Sequence, residues 1–346
     1  MPPLKPTLTL ATLALLLSVP DALPQFKDYK VLDWRTIPSV LDFLPRSTSI
    51  APVEEEMLRL RPDKDPASYQ THKLTAPEGS LDRFYEALHR TEQKLPGAVT
   101  RILHYGDSPT TADMITGDVR RLLQQQFGDA GHGFCLMAKP WAWYDHSGVR
   151  LESGGWTIDP ASQAKVRDGR FGIGGVSFRG SEGAWTRWTL KDGSHTRLAV
   201  SFLKQPGGGT FSVEAEGAPL GTIDTSTAES AVFAVPPLSR RFEVRVLRGA
   251  VRLFGATFDK PGPGVSYDSL GLNGGYVSVL ARMFDERHWA GALRGRQPHL
   301  VIINYGTNES AYAPFVDKVY AKELAEIVRR IREAAPGASI LVMSPM

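Results

Sequence analysis

The chain is almost without cysteine. Cys135 is the only one in 346 residues, which excludes an intramolecular disulfide and any thiolate cluster for zinc. Long runs of one charge are missing as well. The 40 basic and 37 acidic residues leave a net charge of +3, and the arginines are scattered, so nothing marks a nucleic-acid surface. There is no low-complexity tract and no fixed-period repeat. Long apolar runs are confined to Leu8–Val19, with six leucines among its twelve residues and Lys5 ahead of it. That length suits a signal-peptide core and is too short to span a bilayer. Ala22 is the only small residue near a cleavage position, and Pro20 and Pro24 disfavour a buried helix of the fold. Residues 1–23 are therefore expected to be a signal peptide or an N-terminal anchor, with no other integral membrane domain. The expected location is periplasmic, cell-envelope or secreted. An exported chain without disulfides must be stable through its core, and 42% hydrophobic with 22% charged residues is an ordinary globular balance.

Residues 24–80 are rich in proline and charge, as in Glu54–Glu56 and Arg59–Pro66, and read as an irregular extension. Leu81, Phe84 and Leu88 then set a helical spacing that Pro96-Gly97 ends. Val99–Tyr105 suits a buried strand. After Ser108 the pattern predicts one helix, with Pro109 at its first position, an apolar face of Val119, Leu122, Leu123 and Phe127, and Gly128 as its stop. Over 151–262 the period becomes two: Phe242, Val244 and Val246 share a face, and Thr196–Phe202, Thr210–Val213 and Val251–Phe254 look alike. From 263 the spacing predicts a helix from about Gly274 to Trp289 and a strand over His299–Asn304. A helix through Leu324 and Ile331 and a strand over Ser339–Met343 follow. The fold class expected is α/β: a parallel sheet with helices on both faces, formed by 81–150 and 263–346 and interrupted by an inserted antiparallel β-sandwich.

Three segments place polar residues beyond expected strand ends, where open parallel sheets form their sites. They are Gly106-Asp-Ser108, Gly271-Leu-Asn-Gly274 and Gly306-Thr-Asn308-Glu309. Taken singly, each reads as turn and cap chemistry. Together and in this order they resemble the SGNH (GDSL-type) hydrolases, whose blocks are Gly-Asp-Ser, Gly, Gly-x-Asn and Asp-x-x-His. The phrase through Arg120–Leu123 and Phe127–Gly131 resembles envelope members that remove O-acetyl groups from polysaccharide or peptidoglycan. The resemblance implies a three-layer, flavodoxin-like α/β/α domain and a serine esterase acting on an acylated glycan without metal or organic cofactor. It makes Ser108 the nucleophile and the Ser108 N–H, Gly271 N–H and Asn308 side-chain amide the oxyanion donors. Gly274 is the alternative to Gly271. Gly271 lacks a Cβ, so substrate is expected to approach its N–H closely. Pro109 and Glu309 depart from the residues usual after the serine and the asparagine.

The general base has no candidate. A serine nucleophile needs an adjacent base, yet no histidine lies beyond His299. Asp285-Glu-Arg-His288 fits Asp-x-x-His as a string, but it falls about 20 Å along the expected helix and reads as a solvated helix end. His104 reads as core. His132 and His146 flank Trp141-Ala-Trp-Tyr144, a segment suited to a sugar site or to core, and a metal site of His132, Cys135 and His146 has irregular spacing. The expectation is therefore that the sequence continues past Met346. The alternative is a catalytically inactive carbohydrate-binding protein of the same fold. Gly172-Ile-Gly-Gly lacks the glycine spacing of a nucleotide loop.

Overall fold

A computed structural model describes residues 74–344; the expected leader over 1–23, and the extension as far as residue 73, lie outside the described residues. The strands run in chain order as β1 (Val99–Gly106), β2 (Gly131–Cys135), β3 (Val149–Gly154), β4 (Thr157–Pro160) and β5 (Val176–Gly180). They continue as β6 (Trp185–Leu190), β7 (Arg197–Phe202), β8 (Thr210–Ala215), β9 (Ala218–Asp224) and β10 (Val232–Ala234). The last are β11 (Arg241–Arg248), β12 (Val251–Asp259), β13 (Gly264–Gly271), β14 (Leu300–Asn304) and β15 (Ser339–Val342). Four helices matter for the site: α1 (Asp82–Glu92), α2 (Met114–Phe127), α3 (Glu286–Arg296) and α4 (Ala321–Ala334).

The strands nearest the site form a parallel sheet in the order β13-β1-β14-β15. Alternation sends successive side chains to opposite faces. Ile102, Val265, Tyr267, Leu300 and Ile302 pack with Leu81, Phe84 and Leu88 from α1 and its start and with Val119, Leu123 and Phe127 from α2. Leu103, Tyr105, Val301 and Ile303 join the larger core that holds Trp289 and Leu293 of α3 and Ile327 and Ile331 of α4. The apolar residues that make these strands near-continuous hydrophobic runs are thus divided between two helical coverings.

Strands β2 to β12 build two antiparallel sheets, β3-β6-β11-β8-β9 and β10-β7-β12-β5-β4, with β2 paired to β12 in the second. Aromatic rings meet between them. Phe258 of β12 lies 5.6 Å from Trp188 of β6 and 5.2 Å from Phe242 of β11, and Phe202 of β7 lies 6.0 Å from Phe211 of β8. From Thr75 onward the chain packs as one unit, and β2 already belongs to an antiparallel sheet although it precedes the expected boundary at 151.

One buried ion pair ties this β-rich part to the parallel sheet. Asp268, in β13, is fully buried and accepts from Arg296 Nε at 2.5 Å, from Arg296 Nη2 at 2.7 Å and from the Phe134 N–H of β2 at 2.9 Å. Arg296 Nη2 also donates to Ser266 Oγ at 2.7 Å. Every lone pair so used replaces water that burial removed, which is the condition for a buried pair to hold.

Two expected helices are broken, each at an aspartate. The helix after Ser108 is a turn, Ser108–Thr111, followed by α2, because Asp113 sits left-handed at φ 55°. Its buried carboxylate receives Arg120, the Thr116 hydroxyl at 2.6 Å and the Ser147 N–H at 2.8 Å, and these bonds hold the kink. Arg120 is buried in consequence, and Leu122, expected on the apolar face, is 56% exposed. The expected helix over 274–289 is helical over 277–283, breaks at Phe284 and Asp285, and resumes at Glu286 as α3. Phe284 then turns extended and buries its ring against Phe171 and Trp289, and the Asp285 carboxylate caps α3 by accepting the His288 N–H at 2.8 Å.

Removing one partner of the Asp268–Arg296 pair leaves a buried charge without compensation. Arg296→Ala is expected to lower the unfolding free energy by about 3–5 kcal/mol, read from denaturant melts, whereas Arg332→Ala, at the exposed end of α4, should change it little.

Candidate active site

Gly106 ends the central strand of the parallel sheet and pairs with Gly271 on β13 and Asn304 on β14. The three strands therefore finish side by side, and each is followed by one of the polar segments singled out in the sequence. Ser108 opens the helical turn two residues past Gly106, partly exposed, with Asp107 in the N-cap position. Ser108 is thus the first helical residue rather than the cap.

Two glycines let this turn sit down on the strand ends. A Cβ on Gly106 would lie 2.1 Å from Thr110 Oγ1, and one on Gly271 would lie 2.5 Å from the Thr111 nitrogen. The space beside Gly271 is thus filled by the backbone of Thr110 and Thr111, which corrects the expectation that it admits substrate. The Gly271 N–H has another direction. Leu272 N–H donates to Gly106 O and Val265 N–H donates to Gly128 O, so the odd-numbered amides of β13 point away from β1. Gly274 lies exposed in the turn beyond, at φ 63°.

Asn308 belongs to a second helical turn, Thr307–Ser310, after β14. It is half-buried, and its Nδ2 donates to Gly275 O at 2.8 Å, which ties it to the segment that follows Gly271 and leaves its second amide hydrogen for another acceptor. Its neighbour Thr307 lies beside the Asp107 carboxylate and favours its charged form. The structure therefore brings Ser108, Gly271 and Asn308 to one edge of the sheet and cross-links the segments that carry them.

The same segments carry two buried acids to which the sequence assigned no role. Glu309 is 1% exposed, and its Oε1 accepts the Val277 N–H at 2.6 Å. Glu309 Oε2, Asp107 Oδ2 and the Tyr305 hydroxyl have no partner among the described residues. Burial raises the Asp107 carboxyl above the usual carboxylate range, against the lowering effect of Thr307. Burial likewise raises Glu309, and repulsion from Asp107 adds to it. Beside Glu309 opens a cleft of about 670 Å³ whose lining includes Tyr276, Tyr312, Phe315, Arg167 and Arg282.

The aromatic segment 141–144 divides its roles. Trp141 and Tyr144 are buried, while Trp143 is 52% exposed. Its Nε1 donates to Thr111 Oγ1 at 3.1 Å, and that hydroxyl donates to Ser108 O at 2.7 Å. Trp143 is thus fastened to the turn that carries Ser108.

None of the histidines among the described residues hydrogen-bonds the Ser108 hydroxyl. His104 is buried at 2.7 Å from Tyr267 Oη, and burial holds its imidazole down to about 4. His288 is not the solvated helix end expected: it is half-buried, accepts the Gly172 N–H at 3.0 Å and packs on Phe254. His299 accepts the Arg101 N–H at 3.0 Å. Cys135 is buried with its thiol pushed up by desolvation. His132, considered with Cys135 and His146 from the sequence, instead meets Asp192 and His195.

Because Asp107 and Glu309 titrate higher in the fold than in an unfolded chain, the stability they contribute is present below the unfolded values and is lost as pH rises through the folded ones. Glu309→Gln, which keeps an acceptor for the Val277 N–H, should therefore raise the melting temperature at pH ~7–8, with a gain that shrinks towards pH ~4. A pH series of thermal melts checks this.

Residues 241–346 match the model of the GDSL-like Lipase/Acylhydrolase family. Among solved structures, "Peptidoglycan O-acetylesterase in action, 5 min" superposes with a TM-score of 0.63 at 23% identity, over 75% of this chain and 71% of that one. A family two carbohydrate esterase from Cellvibrio japonicus gives a TM-score of 0.24 at 12% identity, over 60% of this chain and 77% of that one. A family 89 glycoside hydrolase from Clostridium perfringens gives 0.25 at 12% identity, over 35% and 15%; scores this low carry no inference. No curated protein matches the chain. On the acylhydrolase family model and the α/β fold shared with the O-acetylesterase, this chain resembles the SGNH/GDSL-type hydrolases.

Proposed function

We propose that the protein is a serine esterase that removes acyl groups, O-acetyl in the first place, from a carbohydrate or peptidoglycan. The observation that carries the reading is the convergence of three strand ends, where Ser108 opens its turn and Asn308 is held to the Gly275 carbonyl. In this reading Ser108 Oγ attacks the ester carbonyl carbon and forms a tetrahedral intermediate. The charge on its oxygen is met by the Ser108 N–H, the Gly271 N–H and the Asn308 amide, the donor set that oxyanion stabilisation needs. Collapse of the intermediate expels the sugar hydroxyl and leaves an acyl-serine, which water then hydrolyses. Gly271 is preferred to Gly274 because it sits in register with Gly106, on the strand against which the Ser108 turn rests. In this reading the Ser108 proton passes to a general base, a role for which no histidine among the described residues is hydrogen-bonded to the serine. No metal or organic cofactor takes part in these steps.

A glycan substrate is supported by the exposed rings of Trp143, Tyr276 and Tyr312, since aromatic faces suit the apolar faces of sugars. The same reading takes 81–150 and 263–346 as one three-layer α/β/α domain and 151–262 as a β-sandwich inserted in it. It places the protein outside the cytoplasm, behind the leader expected over residues 1–23.

Acetate release from O-acetylated peptidoglycan, measured with the full-length natural protein, tests this. Ser108→Ala should abolish turnover, and Asn308→Ala should lower kcat by ~10²–10³, the usual cost of one oxyanion donor. Glycan binding with no Ser108-dependent release would replace the esterase reading with that of a carbohydrate-binding protein.

A further inference from the structure

Three histidines far apart in sequence meet where the β-rich part joins the segment after α2. His132 lies on β2, His146 on the loop that follows it, and His195 on the connection from β6 to β7. The His132 ring stacks on His195 at 5.0 Å with 19° between planes and meets His146 edge-on at 6.0 Å. The side chains of His195 and His146 are 0% and 4% exposed, and that of His132 is 13% exposed. Despite this burial, His132 Nε2, His146 Nε2 and both ring nitrogens of His195 have no hydrogen-bond partner among the described residues. A buried polar atom left unpaired ordinarily costs ~1–3 kcal/mol, so four in contact call for an occupant.

The Asp192 carboxylate completes the group. It lies 4.0 Å from His132 Nε2 and 3.8 Å from His195 Nδ1. One ligand atom from each of His132, Asp192 and His195 falls within 4.8 Å of the other two. A point between three such atoms is about 2.8 Å or less from each, so a closure of under ~1 Å reaches the Zn–N distance of ~2.0–2.1 Å. Closure also requires the stacked rings to tilt, so that both lone pairs point at one ion. The carboxylate is already oriented by supporting bonds: its Oδ1 accepts the Ser194 N–H at 3.1 Å, and its Oδ2 accepts Lys260 Nζ at 3.1 Å. Lys260 is in turn neutralised by Asp129 at 2.6 Å. Outer bonds of this kind fix a ligand's direction in metal sites.

We infer that His132, Asp192 and His195 form a site for one divalent transition-metal ion of the zinc class. Two imidazoles and one carboxylate suit Zn²⁺, Co²⁺ or Ni²⁺ and do not suit Ca²⁺ or Mg²⁺, which take oxygen ligands. Water completes the shell. None of its three residues belongs to the segments that carry Ser108, Gly271 and Asn308. The ion would clip the β6–β7 connection to β2, a cross-link that a chain with a single cysteine cannot make with sulfur.

Metal-free protein, prepared by dialysis against a chelator, would be titrated with Zn²⁺ and with Co²⁺, whose visible bands report coordination directly. Expected are one equivalent bound, visible Co²⁺ absorption, and a melting temperature that rises with added Zn²⁺. His195→Gln and Asp192→Asn should each weaken Zn²⁺ affinity at least about tenfold. Exposed His89→Gln should leave it unchanged. Asp192 is 41% exposed at its side chain, so its variant is expected to fold, which a melt without metal checks. Absence of one-equivalent binding by the parent protein would overturn the site, as would undiminished binding by the folded Asp192→Asn variant.

Discussion

Gly106 is the residue on which the arrangement turns. It ends the central strand, is paired on both sides, and lies under a threonine whose oxygen occupies the place a side chain would take. A Cβ there would displace the Thr110 side chain from the strand end and crowd the Asn304 carbonyl, disturbing the seat of the Ser108 turn. Gly271 imposes a stricter requirement from the neighbouring strand, since a Cβ there would meet the backbone of Thr110 and Thr111 and lift the turn itself. The geometry of the candidate site is therefore a packing result before it is a chemical one. Parallel register delivers three chain segments to one place, and two missing side chains let them touch.

That part of the molecule was legible because its signals are local. Short apolar runs ending in Gly-Asp-Ser or Gly-x-Asn declare both a strand and what lies beyond its end. The alternation of Phe242, Val244 and Val246 likewise declares a strand with one buried face. Hidden features were those decided by partners distant in sequence. Nothing around Asp113 announces a left-handed residue; the break exists because Arg120, Thr116 and Ser147 converge on its carboxylate. Phe284 leaves the helix because Phe171 and Trp289 offer it a pocket. Glu309 looked like a conservative variation on a familiar motif, and its burial beside Asp107 depends on where the strands end. His132, Asp192 and His195 share no spacing rule, since an antiparallel sheet and a long connection bring them together.

Carboxylates held by arginines recur in both parts of the molecule. Arg296 holds Asp268, Arg120 holds Asp113, and Arg252 bonds both Asp168 and the Arg170 carbonyl. Each arginine uses its planar fork to satisfy several acceptors at once, which suits joints between elements that share no hydrogen-bond ladder. With these pairs the apolar core is divided but registered. Aromatic contacts supply adhesion between the sheets, and the ion pairs fix the segments around each arginine.

Trp143 carries a further consequence. Trp188 and Trp289 are sealed in the core, whereas Trp143 is half open to water and fastened through Thr111 to the turn of Ser108. Indole emission shifts with the polarity around the ring, so the emission of Trp143 reports on surroundings two hydrogen bonds from the candidate nucleophile. The molecule thus contains its own optical probe of that turn, able to register a bound molecule or a displaced loop without any label.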